Sequence, residues 1–401
     1  MGWNADRIQP DIEAIILGMH AKPDNPELAK AQELGLKIYS YPEFIYEHAK
    51  EKNRYVIAGS HGKTTTTAML LHAINELKID ADYLVGAQLE GYDTMVQLSD
   101  APNMIIEGDE YLSSPIDRRP KIFHYYPQVC IITGVAWDHV NVFPTIEEYL
   151  KQFELFLDTL APMSTVIYYG VDEHLNKLLA GRSELKVINY RGYETDPESD
   201  GRAVISEAGG TYPIAIFGKH NLQNLQAAAL MAFEMGIAEH DFLTTMKTFK
   251  GASKRLQLLA EVSDRLVYQD FAHAPSKVKA TVQAVRERYP NHRFLAVVEL
   301  HTFSSLNKDF LPEYQGALDL ADEAIVFFQE HTLKMKRLPA ISVDDVKKGF
   351  GNPALSVLTG KEELYEAVES GFGEKTVLLL MSSGTFGGKE MSEWGRELID
   401  N

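Results

Sequence analysis

One cysteine in 401 residues, Cys130, leaves no partner for an internal disulfide and too few thiols for a cysteine-built metal site. It lies in the apolar run Val129-Cys130-Ile131-Ile132, and a reducing cytoplasm suits such sparing use. Positive charge is also scarce: 39 Lys and Arg face 57 Asp and Glu, a net charge of −18. So acidic a chain lacks the basic face that nucleic acid or an anionic membrane requires, so neither is expected as a partner. Any bound phosphate must then be gripped by local donors. No stretch approaches the roughly 18 apolar residues of a membrane span. The segment Met1-Gly2-Trp3-Asn4-Ala5-Asp6-Arg7 has no basic region followed by an apolar core. The expectation is a cytoplasmic protein, neither exported nor membrane-spanning. Internal repeats and low-complexity tracts are missing too, and nothing points to an obligate protein partner.

What is present is globular: 45% hydrophobic and 24% charged residues, in a chain too long for one ordinary core. Short Val- and Ile-rich runs alternate with helical patterns, which predicts an α/β fold with parallel sheets. Strands are expected at 55–58, 104–107, 129–133 and 165–168, with helices after Lys63, Thr145 and Asn221. A second series follows, with strands near 266–268, 294–298, 324–328 and 377–381. The first fifty residues hold one apolar run, Ala14-Ile15-Ile16-Leu17-Gly18, and a helix near 26–34, too little to close a domain alone. The expected domains are 1–50, a fragment, 51–252, which binds a nucleotide, and 253–401. Residues 195–201 read as turn chemistry between strands.

The strongest signal is Gly59-Ser60-His61-Gly62-Lys63-Thr64-Thr65-Thr66-Thr67, between the apolar run Tyr55-Val56-Ile57-Ala58 and the helical run Ala68-Met69-Leu70-Leu71. Strand, glycine loop and helix in that order suit a phosphate: loop amides curl round it, the helix amino terminus adds positive potential, Lys63 reaches the β and γ phosphates, and a threonine hydroxyl can ligate Mg²⁺. A loop of this kind ordinarily has about four residues between its glycines, whereas here there are Ser60 and His61 alone. The bland alternative is a glycine turn before a threonine-rich helix start.

Glu107-Gly108-Asp109-Glu110 closes the apolar run Asn103-Met104-Ile105-Ile106, at the carboxyl end of a strand, where ligands bind in open α/β sheets. Three carboxylates so close repel unless a cation or solvent screens them. They read as a Mg²⁺ site or as a solvated acidic turn. Asp138-His139 follows the next strand, and position alone leaves His139 between a structural residue and a ligand to a second ion. In Gly218-Lys219-His220-Asn221-Leu222-Gln223-Asn224, Asn221 reads as the N-cap of a helix over 225–235.

Together these segments, with Asp270-Phe271-Ala272-His273-Ala274-Pro275, resemble in order and spacing the Mur ligases, which add amino acids or peptides to the UDP-N-acetylmuramate of bacterial peptidoglycan. The shortened phosphate loop is that family's own form. The resemblance implies three domains: an amino-terminal Rossmann-like domain for UDP, here incomplete, a central P-loop ATPase domain, and a carboxyl-terminal Rossmann-like domain for the incoming amine. It implies ATP and Mg²⁺ as cofactors, with UDP-N-acetylmuramate and an amino acid or peptide as reaction partners. Gly59, Ser60, His61, Gly62, Lys63, Thr64 and Thr65 would hold the phosphates. Thr64 and Glu107 would hold one Mg²⁺, and His139 would face a second ion, so that Lys63, Glu107 and His139 carry catalysis. Asn221 and Asn224 would approach adenine, Arg255 would stand at the entry to the third domain, and Asp270 and His273 would close over the nucleotide. The loop alone would also serve a kinase or ATPase acting on another acid. A binding protein without catalysis is opposed by the presence of Lys63, Glu107 and His139.

Within the family, Asp109-Glu110-Tyr111, the stretch Asp117 to Tyr125 and Met381-Ser382-Ser383-Gly384-Thr385-Phe386-Gly387-Gly388 resemble the branch that re-attaches the tripeptide L-alanyl-γ-D-glutamyl-meso-diaminopimelate more than the alanine-adding branch. Where the latter carries basic residues after a histidine, His301 is followed by Thr302 and Ser305. The position at which several branches carry a carbamylated lysine holds Phe153, so Lys151 is expected unmodified. The family's glycine-rich UDP loop is not seen before the 14–18 run, so UDP-linked substrates are expected to bind poorly.

Overall fold

The computed structural model describes residues 2–19, 21–89, 91–137 and 142–400. The chain divides into two compact units, one of residues 1–137, 145–191 and 227–238, the other of 138–144, 192–226 and 239–401. Among the described residues no helix is long and apolar enough to cross a membrane.

The first unit opens with β1 (Ala14–Leu17), α1 (Pro26–Glu33), β2 (Lys37–Ser40) and α2 (Tyr41–Ala49), the two strands pairing in parallel. Asn25 accepts the Glu27 and Leu28 amides and so starts α1, and its inward Leu28 packs with Leu17 and Ala21. A seven-stranded sheet follows, built from β3 (Asn53–Ala58), β4 (Ala81–Leu84), β5 (Val96–Gln97), β6 (Asn103–Glu107), β7 (Val129–Ile132), β8 (Thr165–Tyr169) and β9 (Lys186–Tyr190). Its order is β5-β4-β6-β3-β7-β8-β9, parallel throughout except for β5. The three central strands are buried along nearly their whole length, which is why they read as unbroken apolar runs.

The helix α3 (Lys63–Glu76) leaves β3 and is buried on most sides, whereas α4 (Ile146–Asp158) shows a single inward stripe of Tyr149, Phe153, Phe156 and Leu157. Thr145 starts α4 by accepting the Glu148 amide. A short α5 (Glu173–Leu179) is capped by Asp172. Because β3 is flanked by β6 on one side and β7 on the other, the loops leaving their carboxyl ends converge at a topological switch point.

The second unit holds a small antiparallel sheet of β10 (Glu194–Thr195), β11 (Ala203–Ile205) and β12 (Thr211–Pro213), with the expected turn between β10 and β11. The helices α6 (Lys219–Glu234) and α7 (Glu239–Thr245) come next in the chain. Asn221 is not an N-cap: α6 begins two residues earlier, after Gly218 at φ +89°, and Asn221 Nδ2 donates to Phe217 O at 2.9 Å from inside the first turn. The larger sheet is formed by β13 (Gln257–Val262), β14 (Arg265–Asp270), β15 (Arg293–Glu299), β16 (Glu323–Phe327), β17 (Ser356–Leu358) and β18 (Thr376–Met381), in the order β13-β14-β18-β15-β16-β17. Only β13 runs antiparallel within it. One face packs Val267, Leu295, Leu378 and Leu380 against Phe386 and Trp394. A further helix, α8 (Pro275–Arg288), follows β14.

Candidate active site

The glycine loop stands at the carboxyl end of β3. Gly59 has φ +117°, and a Cβ there would lie 2.7 Å from Thr133 N, so only glycine fits. Gly62, in the left-handed region at φ +79°, starts α3. The loop is tied to the segment after β7: Ser60 N–H donates to Gly134 O at 2.9 Å, and Thr133 Oγ1 donates to His61 O. Lys63, Thr64, Thr65 and Thr66 therefore leave a fixed turn into the helix amino terminus, and Thr64 and Thr65 are both buried.

Three carboxylates that looked mutually repulsive each have their own partner. Glu107 Oε1 accepts from Thr64 Oγ1 at 2.7 Å and Oε2 from Gly86 N–H at 2.8 Å. Asp109 pairs with Lys121 at 2.7 Å. Glu110, 1% exposed, accepts from Lys63 Nζ at 2.8 Å and from Tyr149 OH at 2.8 Å. The intervening Gly108 is required by space, since a Cβ there would lie 2.8 Å from Val56 Cγ1. Burial works against the Lys63 ammonium, but Glu110, Asp109 and Glu107 outweigh it and hold its pKa above the ordinary lysine value. Thr64 and Glu107 thus present hydroxyl and carboxylate oxygens side by side, hard donors of the kind that suit Mg²⁺. Asp138 and His139 lie outside the described residues. Glu43, Asp117 and His124 also bring three ligand atoms within 4.8 Å of one another. There Arg119 stands 2.7 Å from Asp117 and 3.6 Å from Glu43, so a guanidinium already supplies the cation.

In the second unit Asn221 and Asn224 are both buried in the first turns of α6. Asp270 ends β14, and burial pushes its carboxyl above the usual range while Arg255, Thr281 and two amides pull the other way. Its oxygens accept from Leu256 N–H, Thr281 Oγ1 and Ala272 N–H at 3.1, 3.1 and 2.8 Å. Arg255 lies 4.7 Å over the Phe271 ring, between Lys254 and Leu256, which both have positive φ. His273 Nδ1 donates to Phe271 O at 2.8 Å. The structure therefore gathers Arg255, Asp270 and His273 at one end of β14. Beyond the adjoining strand β18, Ser382 Oγ and Phe386 N–H both donate to the buried Glu299 carboxylate. Thr302 and Ser305 satisfy each other's amides across a turn.

Reading the sequence singled out Lys63, Thr64 and Glu107 but gave Tyr149 no role and Glu110 none distinct from its neighbours. The inward position of Tyr149 on an amphipathic helix was the one available sign.

Residues 57–232 match the family model described as Mur ligase middle domain, and residues 254–384 that described as Mur ligase, glutamate ligase domain. The chain is 27% identical over 398 residues to the UDP-N-acetylmuramate–L-alanyl-gamma-D-glutamyl-meso-2,6-diaminoheptandioate ligase of Haemophilus influenzae, covering 96% of this chain and 86% of that protein. It is 30% identical over 337 residues to the UDP-N-acetylmuramate–L-alanine ligase of Ligilactobacillus salivarius, covering 80% and 70%. Its fold is similar to that of the UDP-N-acetylmuramate-alanine ligase of Thermotoga maritima, with a TM-score of 0.71 at 19% identity over 100% of this chain and 87% of the other.

Proposed function

Since the chain belongs to the Mur ligase family and is an ATP-dependent C–N ligase, we propose that it joins L-alanyl-γ-D-glutamyl-meso-diaminopimelate to UDP-N-acetylmuramate. The observation that carries the ATP-dependent step of this reading is the pairing of Thr64 with Glu107 beside Lys63, at the carboxyl ends of adjacent strands. Amides of residues 59–65 and the Lys63 ammonium would grip the β and γ phosphates, and Thr64 and Glu107 would hold Mg²⁺. When bound, the ion neutralises charge on the phosphates. The sugar-acid carboxylate attacks the γ-phosphorus, ADP leaves, and an acyl phosphate forms. The amine then attacks the acyl carbon, and phosphate leaves as the amide forms. Neither step needs a protein nucleophile, since positioning and cationic stabilisation carry phosphoryl transfer. The nucleotide roles of Asn221, Asn224, Arg255, Asp270 and His273, and an ion-binding role for His139, rest on family resemblance. The proposed domains 51–252 and 253–401 each enclose one matched span and 1–50 encloses none, and a cytoplasmic location suits the substrate.

The tripeptide is favoured by the Haemophilus influenzae relative, which aligns along nearly the whole chain. L-alanine is the second reading, favoured by the 30% identity to an alanine ligase. Phosphate release with UDP-N-acetylmuramate and alanine, tripeptide or tetrapeptide distinguishes them. The tripeptide should give the highest kcat/KM; a preference for alanine reverses the assignment, and release without UDP-N-acetylmuramate removes both readings.

A further inference from the structure

We propose that Glu110 is a positioning residue for Lys63, held in place by Tyr149 and Ser60, and that this hydrogen-bonded chain aims the ammonium of the phosphate loop. The inference rests on the reading of Lys63 as a phosphate ligand.

The directions of the bonds follow from what each group can donate. An ionised carboxylate only accepts, so Tyr149 OH donates to Glu110 Oε1 at 2.8 Å. With its proton committed, the Tyr149 oxygen accepts from Ser60 Oγ at 2.9 Å. Ser60 Oγ in turn accepts the Ala136 N–H at 2.9 Å. One end of the chain is thus anchored on backbone beyond β7. At the other end, Lys63 Nζ donates to Glu110 Oε2 at 2.8 Å and to Gly59 O at 2.6 Å. An ammonium has three hydrogens. Fixing two on a tetrahedral nitrogen fixes the direction of the third.

A lysine head on a flexible stem has many rotamers to choose among, and ordering it beforehand lets its charge act when the transition state forms. Glu110 and Tyr149 are 1% and 0% exposed, so these bonds are shielded from water. The neighbouring carboxylates do not share the role, since Glu107 turns to Thr64 and Gly86 and Asp109 to Lys121. The negative charge of Glu110 also opposes phosphate binding while it orders Lys63. Its loss should therefore register in kcat and leave ATP affinity nearly unchanged.

The test combines turnover of ATP, UDP-N-acetylmuramate and the amine with calorimetric ATP binding, for Glu110→Gln, Tyr149→Phe and the double variant. Glu110→Gln should lower kcat about tenfold, with the Kd for ATP within about threefold of the parent. Tyr149→Phe should lower kcat about threefold, and the double variant should be no worse than Glu110→Gln, because Tyr149 acts through Glu110. A kcat within about twofold in Glu110→Gln, a loss confined to ATP affinity, or multiplying effects in the double variant would overturn the proposal. If Glu110→Gln does not fold, Tyr149→Phe decides, since the ring keeps its packing against Phe153; an unchanged kcat there overturns it. Lys63→Ala, measured alongside, separates the two levels. An inactive Lys63→Ala beside an unaffected Glu110→Gln sinks only the positioning chain, whereas an active Lys63→Ala sinks the phosphate-loop reading and the chain with it.

Discussion

Thr64 Oγ1 donates to Glu107 Oε1 at 2.7 Å, so the first turn of α3 and the carboxyl end of β6 meet in one pair of side-chain oxygens. Removing the carboxylate should weaken Mg²⁺ dependence as well as rate. Glu107→Ala is expected to lower turnover roughly 100-fold and to raise the Mg²⁺ concentration needed for half-maximal rate. Asp117 is tied to Arg119 and should matter far less, so Asp117→Ala should stay within about fivefold of the parent. A Mg²⁺ titration of ATP turnover in both variants is the check, and equal effects would remove the distinction.

Lys63→Ala should abolish turnover, and it carries a stability cost that the loop sequence does not suggest. Glu110 would remain buried with its ammonium partner gone, at a cost of about 1–3 kcal/mol. Adding Glu110→Gln should return most of that stability without returning activity. Denaturant unfolding of the single and double variants measures it; a single variant as stable as the parent would show that Glu110 is not held by Lys63.

How much of this was legible beforehand depends on what each signal needed. Strands β3, β6 and β7 are buried on both faces, so their runs stood out, and the glycine loop between β3 and α3 could be placed on local order alone. The acidic segment 107–110 was found but could not be resolved, because three carboxylates in four residues carry no mark of which partner each will meet. Those partners, Thr64, Lys121, Lys63 and Tyr149, arrive from different elements. Asn221 was misread as a cap because Asn favours that position, while Gly218 at positive φ had already started the helix two residues earlier. The short strands β10, β11 and β12 are too brief to show a period, and the antiparallel edge β13, six residues long, is partly exposed with no alternation of buried and exposed positions.

Lys151 pairs with Glu154 at 2.7 Å on the exposed side of α4, while Phe153 fills the inward stripe with no exposure. Two residues on a helix are roughly 200° apart, so the lysine cannot replace the phenylalanine. Lys151 should therefore stay unmodified, and turnover should be the same in CO₂-depleted and bicarbonate-supplemented buffer. A carbamate mass on a Lys151 peptide, or a rate that rises with bicarbonate, would contradict this.

His220 lies in the first turn of α6, and burial pushes its imidazole pKa down to about 4. The unfolded chain, with an ordinary pKa of about 6.5, binds a proton that the folded chain refuses. Stability from this group is thus complete above pH 6.5 and is lost as the pH falls toward 4. Denaturant unfolding at pH 7 and pH 4.5 should differ by about 1–3 kcal/mol more in the parent than in His220→Gln. An equal difference in both would show that His220 is charged in the folded protein.

Phosphoryl transfer to the sugar-acid carboxylate ahead of amide formation can be followed by the fate of one oxygen atom. With UDP-N-acetylmuramate carrying ¹⁸O in its carboxylate, attack on the γ-phosphorus and displacement by the amine leave one ¹⁸O in the released phosphate. Mass analysis of that phosphate should find a single label per turnover and none when the amine or UDP-N-acetylmuramate is omitted. Unlabelled phosphate formed together with amide product would contradict an acyl phosphate and the ligase mechanism built on Lys63, Thr64 and Glu107.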